Sequence, residues 1–385
     1  MWRPSRPRRR TLIIVGVLVA LLAVPTWSLG STLIKPSTDP LSARVVEWAR
    51  DHHMGGLVND IEQTWYEHHQ PKVGGVPKGG IPTVPQIQTT TPPVSPTTSS
   101  PTPTSQPLPF RPTPVPPLVA TPLPGEGVWQ PAGRLVDGKP ALWVTYMRPD
   151  AVHTSLLIGL AYLNMQHLTA TLHAGTSLPG DGPWVQPPRV DPSQYPYAVA
   201  AFNSGFRLDA NHGGYYAEGR TVKPLAQGAA SFIIYRDGHA NVGVWGRDAQ
   251  MGPTISSVRQ NLTLLVDGGQ LNPAINTADF QQWGGTEGKK IYVWRSGVGI
   301  DKAGNLIYVG GPGLNVATLA ELLQRAGAQR AMELDINTDW VTFTMFVPGP
   351  TGTLTPAKLL PSMVRPAHRY LETGTRDFFE IDVRH

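Results

Sequence analysis

The chain has 385 residues, no cysteine and a formal net charge of +5. Arg3, Arg6, Arg8, Arg9 and Arg10 carry that excess alone, because without them the 32 basic residues fall to 27, matching the 27 acidic ones. A basic nucleic-acid surface is therefore excluded from the reading, as are disulfides and thiolate metal sites.

Residues 1–10 form a basic tail, followed from Thr11 to Ile34 by 24 uncharged residues that include "LIIVGVLVALLAV". About 20 mainly apolar residues suffice to span a bilayer. The arginines would hold the N-terminus in the cytoplasm and send everything after Lys35 outside. A cleaved signal peptide is the alternative, since Ser28 and Gly30 have the size and spacing of a cleavage site. Both readings export the rest of the chain, and the anchored one makes the membrane a partner.

Residues 36–70 are expected to form juxtamembrane helices. Asp39 and Pro40 suit a helix start, Leu41, Val45 and Trp48 share a stripe, and Leu57, Ile61 and Trp65 make a second one beyond Gly55 and Gly56. Residues 71–124 hold 17 of the 40 prolines among many Thr and Ser, which predicts a disordered, extended linker that buries no core. Aromatic and alternating apolar residues return near Gly125, so residues 125–385 are expected to be one globular domain.

Within it the predicted class is α+β, a mixed β-sheet domain with few helices. "AASFIIYRDGHANVGVW" predicts a hairpin turning at Asp237 and Gly238, and "SGVGIDKAGNLIYVGG" a second turning over Lys302 to Asn305. One helix is clear: Asn315 caps it, Val316, Leu319, Leu322, Leu323 and Ala326 form its buried stripe, and Gly327 ends it. In "RAMELDINTDW" (330–340), alternation sets Met332, Leu334 and Ile336 on one face and Glu333, Asp335 and Asn337 on the other. If strands 306–309 and 331–336 run parallel, Asp335 and Asn337 lie at the carboxyl edge of a sheet, beside a helix N-terminus suited to an anion.

The ordered series "AAFNSGF" (200–206), "WRSGVGIDKAGNLIYV" (294–309) and "TLAELLQRAGAQRAMELD" (318–335) resembles the phosphodiester glycosidase family over roughly Pro196 to Phe343. Asn203 and Gly205 match the family's first element, Arg295 and Gly299 the second, Leu334 and Asp335 the third. Three departures stand out: Ser204 replaces a glycine, Glu333 an asparagine, and Ile336, Asn337 and Thr338 replace three glycines. The resemblance implies hydrolysis of a sugar-phosphate linkage.

The residue types suit that chemistry. A phosphate monoester is a good leaving group. The needs are then a phosphate binder, for which Arg295 is suited, and a nucleophile or base, for which Asp335 and Glu333 are the candidates. Asn203, Gly205 and Asn337 are expected to hold the sugar, and Asp267, before Gly268 and Gly269, is a further substrate-contact candidate. Asp209, His212 and Glu218 lie in a glycine-rich loop that would border the site or cover it. The sequon at Asn261 reads as part of a strand. No cofactor is evident, no residue set has metal-ligand spacing, and a calcium held by loop oxygens would leave no signature. The expected partner is a glycan or sugar-phosphate substrate, with no nucleic acid and the oligomeric state open. A non-catalytic glycan-binding module and a structural envelope protein are the alternatives.

Overall fold

The structure, a computed structural model, describes residues 23–34, 37, 39–84, 110–180, 182–276, 283, 292–349 and 352–384. The basic tail, the first half of the expected membrane segment and residues 85–109 of the expected linker lie outside these. Helices occupy residues 23–34 (α1), Leu41–Asp51 (α2) and Gly55–His68 (α3). Among the described residues no helix is long and apolar enough to cross a membrane. Residues up to Glu62 form one compact unit, and Gln63 to His385 another.

The second unit is built on three sheets, and every ladder in them is antiparallel. The largest has the order β1 (Gln130–Val136), β2 (Lys139–Met147), β3 (Ile158–Leu163), β14 (Leu306–Leu314), β13 (Val293–Ile300), β15 (Arg330–Glu333), β11 (Leu264–Asp267), β12 (Gln270–Leu271). A second sheet runs β7 (Arg220–Lys223), β6 (Tyr215–Ala217), β10 (Ile255–Gln260), β8 (Ala230–Tyr235), β9 (Ala240–Val244). The third runs β17 (Leu354–Lys358), β16 (Phe343–Pro348), β5 (Ala198–Asn203), β18 (Phe378–Val383), β4 (Leu168–His173).

Local chemistry explains the best-defined elements. The β8–β9 hairpin closes through Gly238 at φ 77°, and the β13–β14 hairpin through Gly304 at φ 85°, a region that only glycine enters at no steric cost. Helix α4 (Val316–Arg325) opens on a capping box: the Asn315 side chain accepts from the Thr318 amide, and the Thr318 hydroxyl accepts from the Asn315 amide. Its Leu319, Ala320, Leu322 and Leu323 are buried, and Gly327 ends it at φ 103°. A Cβ on Gly297 of β13 would come within 2.9 Å of Leu323 Cδ1, so glycine there lets the helix lie close on the sheet.

The expected β-α-β relation is present in split form. β14 and β15 are both antiparallel to β13, hence parallel to each other, and α4 connects them across the strand between. Met332 and Leu334 join the core shared with the other two sheets, while Ala331 joins the one under α4. The parity of the strand puts Glu333 on the α4 side.

The domain begins before Gly125, which corrects the expected boundary. Val84 and Val115 are buried in the two main cores. The Gln130 side chain binds the Val84 amide and the Pro82 carbonyl, and the Trp129 indole donates to the Thr113 carbonyl. Only scattered residues of this stretch need to be apolar to fasten it, so a composition average hides the attachment.

Candidate active site

β15 ends at Glu333, yet the chain beyond it stays bound to β13. The Leu334 amide donates to the Ser296 carbonyl, and the Ser296 amide donates to the Asp335 carbonyl at 2.8 Å. The Ser296 hydroxyl accepts from the Asp335 amide at 3.2 Å. Asp335 is thereby fixed at the backbone before its side chain is considered.

Its carboxylate is fixed as well. Oδ1 accepts from the amides of Ile336 (2.8 Å) and Asn337 (3.0 Å), and Oδ2 accepts from Arg376 Nη2 at 3.1 Å. The same Nη2 donates to the Gly205 carbonyl, and the guanidinium lies 4.7 Å from the centre of the Trp340 ring. Arg365 and Arg369 approach that indole too, at 5.2 and 5.5 Å. Beside Arg376, Asp377 Oδ2 accepts from the Ser204 hydroxyl (2.5 Å) and from Arg259 Nε (2.7 Å). Two carboxylates and two guanidiniums thus meet around the backbone of Ser204 and Gly205.

A loop adjoins this constellation through Arg259. Between Phe206 and Gly214, Asn211 donates to the Arg207 carbonyl, and Arg259 donates to the Phe206 carbonyl. Arg207 pairs with Asp209. Burial pushes the Asp209 carboxyl up, but the Arg207 hydrogen bond and charge, with Arg376 behind them, outweigh it and leave it below the usual range. The side chains of Asp335 and Arg376 keep 6% and 7% of their surface exposed.

The other expected site residues are dispersed. Arg295 is 1% exposed and turned inward. Its Nη1 donates to Glu333 Oε1 at 2.5 Å, and its Nε donates to the Leu314 carbonyl. Burial raises the Glu333 carboxyl more than Arg295 lowers it. Asn203 is buried and braces three elements, donating to Ser296 Oγ and accepting from Tyr308 Oη and the Thr342 amide. Asp267 is bound by Arg247 through both carboxylate oxygens (2.6 and 2.8 Å). Because Val266 faces Ala331 across an antiparallel ladder, Asp267 lies at the amino end of β15, the end opposite to Asp335. Asn337 turns the chain, its Oδ1 accepting from the Asp339 amide. Asn261 is 1% exposed and donates to the Glu333 and Leu334 carbonyls, so its sequon is closed to a glycan. At the α4 N-terminus, the expected anion site, the Thr318 amide is taken by the Asn315 side chain in a capping box.

Arg376, Asp377, Arg259 and Trp340 were missed by sequence reasoning. The available signal was the pair Arg376-Asp377 directly before the buried strand "FFEIDV". Among the described residues no group of three or more His, Asp or Glu is placed to hold a metal.

Residues 196–335 match the phosphodiester glycosidase family, the stretch from the entry to β5 through Asp335. That stretch is similar to the family, and it covers 140 of the chain's 385 residues. The phosphodiester glycosidases are hydrolases, and Trp340, Arg376 and Asp377 fall outside the matched stretch. Among solved structures, the chain is similar to the catalytic domain of zebrafish N-acetylglucosamine-1-phosphodiester alpha-N-acetylglucosaminidase, auto-inhibited by its pro-peptide. That match has 17% identity and a TM-score of 0.43, covering 67% of this chain and 87% of the other. A hypothetical protein from Synechocystis is similar at 12% identity and a TM-score of 0.36, with 63% and 64% covered. No curated protein matches the sequence.

Proposed function

We propose that this protein is a membrane-anchored, extracytoplasmic hydrolase that cleaves the C1–O bond of a sugar 1-phosphodiester in an envelope or secreted glycan. The observation that carries this reading is the Asp335 carboxylate, held by two backbone amides on one oxygen and facing the Arg376 guanidinium with the other.

The chemistry follows from that pairing. A phosphodiester brings a charge that competes with Asp335 for Arg376, and the planar guanidinium can bind two phosphate oxygens at once. The amides of Ile336 and Asn337 keep the carboxylate in place while Arg376 turns to the substrate. Asp335 then serves as nucleophile or as base for water at C1. The C1–O bond breaks, the phosphate leaves as a monoester with second pKa near 6, and water supplies the new hydroxyl at C1. Arg376 takes the phosphate role expected of Arg295, whose guanidinium is committed to Glu333 and Leu314. Ile336 packs with Phe206 and Val293 where the family has glycine, so this site accepts a different sugar from a glycine-lined one.

A panel of sugar 1-phosphodiesters offered to the purified protein tests the activity. Turnover that releases phosphate monoester supports the reading, and saturable binding without turnover of any member replaces it with a glycan-binding module. The anchored, exported topology rests on the five arginines and the 24 uncharged residues after them. Protease added to intact cells should remove the domain and leave a short membrane-bound fragment; a protected domain overturns the orientation, and a secreted soluble product points to signal cleavage.

A further inference from the structure

A cleft of about 730 Å³ opens between β4, the edge strand of the third sheet, and the face of the second sheet formed by β6, β10 and β8. Its size lies within the range of ligand sites, about 300–1,000 Å³. Its polar lining is Thr169 and Thr171 from β4, Ser256 and Ser257 from β10, Gln186 from the opposite loop and Tyr235, with Arg236 and Asp237 of the turn and the apolar Leu172, Val185 and Ile234 beside them. Glu218 forms a rigid wall. It sits in the left-handed region at φ 51°, and its two oxygens accept from the amides of Val185 and Gln186 at 2.6 and 2.8 Å.

The edge of β4 adds backbone groups. The Ala170 amide donates to the Gly238 carbonyl, away from β18, so alternation along an antiparallel strand points the amide and carbonyl of Leu172 the same way, into the cleft. The Asp237–Gly238 turn already occupies Ala170, which leaves a single rung. That is too short a ladder for a peptide strand to add to.

The cleft also lies along the strand that supplies the active site. β10 runs from Ser256 and Ser257 to Arg259, the partner of Asp377, and the Arg259 guanidinium stands 5.9 Å from the centre of the Tyr215 ring. Tyr215 meets Trp184 edge-on at 6.1 Å, two residues before Gln186. A ligand in the cleft therefore lies on the strand that carries Arg259 without touching Asp335 or Arg376, neither of which lines it.

We infer that this cleft binds a neutral oligosaccharide, the glycan chain that carries the scissile phosphodiester, through hydroxyl, amide and edge-strand backbone hydrogen bonds. Glu218 is spent on two backbone amides, and Arg236 and Asp237 bring charges of opposite sign, so the hydroxyl, amide and backbone groups suit a neutral polyol, whereas a lipid would want an apolar wall and a polyanion a basic one. The binding mode rests on the proposed function only for the source of the glycan, and its test needs no turnover.

The probes are chitohexaose and mannohexaose, titrated calorimetrically into the whole protein. At least one hexasaccharide should bind saturably. Thr171→Arg, which fills the cleft from β4, should weaken that binding tenfold or more while leaving turnover of a small sugar 1-phosphodiester and the melting temperature unchanged. If Thr171→Arg lowers the melting temperature, Gln186→Ala and Tyr235→Ala carry the test, each expected to weaken binding several-fold. Absence of binding by both hexasaccharides overturns the inference, as does affinity that survives all three variants or preferential binding of a threonine-rich peptide. Binding with no phosphodiester turnover keeps the cleft and removes the activity assigned to Asp335.

Discussion

Glu333 and Asp335 are two residues apart and answer to different arginines, so exchanging either carboxylate for its amide should have different consequences. Asp335→Asn keeps an acceptor for the amides of Ile336 and Asn337, and the fold should persist while turnover drops by about a hundredfold or more, the range of a positioned acid-base group. Glu333→Gln instead strands the Arg295 charge in a buried place. Loss of one member of a buried pair costs about 3–5 kcal/mol, and a lowered melting temperature should precede any loss of turnover per folded molecule. If Glu333→Gln abolishes turnover at an unchanged melting temperature, the two roles are reversed. Arg376→Lys should raise KM for charged phosphodiesters more than it lowers kcat, because an ammonium lacks the planar fork; an unchanged KM returns the phosphate to another group. The sequence showed Asp335 because alternation singles out a carboxylate at a strand end. It concealed Arg376 and Asp377, which reach Asp335 and Ser204 across 41 and 173 residues of chain, a distance no local pattern encodes.

At the scale of the strand, β18 holds a second set of ionisable groups apart from Asp335. Glu380 and Asp382 alternate onto one face, with His173 Nε2 2.6 Å from Glu380 and the Arg134 charge acting on Asp382. Burial first, then the Glu380 charge and hydrogen bond, push Asp382 up to about 9 against the pull of Arg134. A folded-state value above the unfolded one means that the folded form holds a proton the unfolded chain has released. The stabilisation is thus full below about pH 4 and is lost progressively as pH rises to about 9. Chemical denaturation between pH 5 and pH 10 should show this decline in the parent and a flatter profile in Asp382→Asn. Parallel profiles for the two proteins would locate the pH dependence elsewhere. Strands such as this one are partly legible: turn glycines and caps mark the two hairpins and α4, because their causes lie within a few residues. The pairing of β18 between β5 and β4 is not, since its partners come from residues about 180 and 210 positions earlier.

For the molecule as a whole, the attachment of Val84 and Val115 changes what the segment between them can be. Pro82 and Val84 are held by Gln130, and Thr113 by Trp129, its immediate neighbour in sequence. Whatever path residues 85–109 take, it leaves from and returns to one place on one body. Such a segment cannot act as a spacer, since a spacer must have its two ends on different bodies. It is instead a place where the covalent chain can be interrupted without parting the protein. With a specific protease site inserted near Ser95, digestion should give two bands on a denaturing gel and one peak, at the undigested volume, on a sizing column. Two peaks would mean that Val84 and Val115 do not hold.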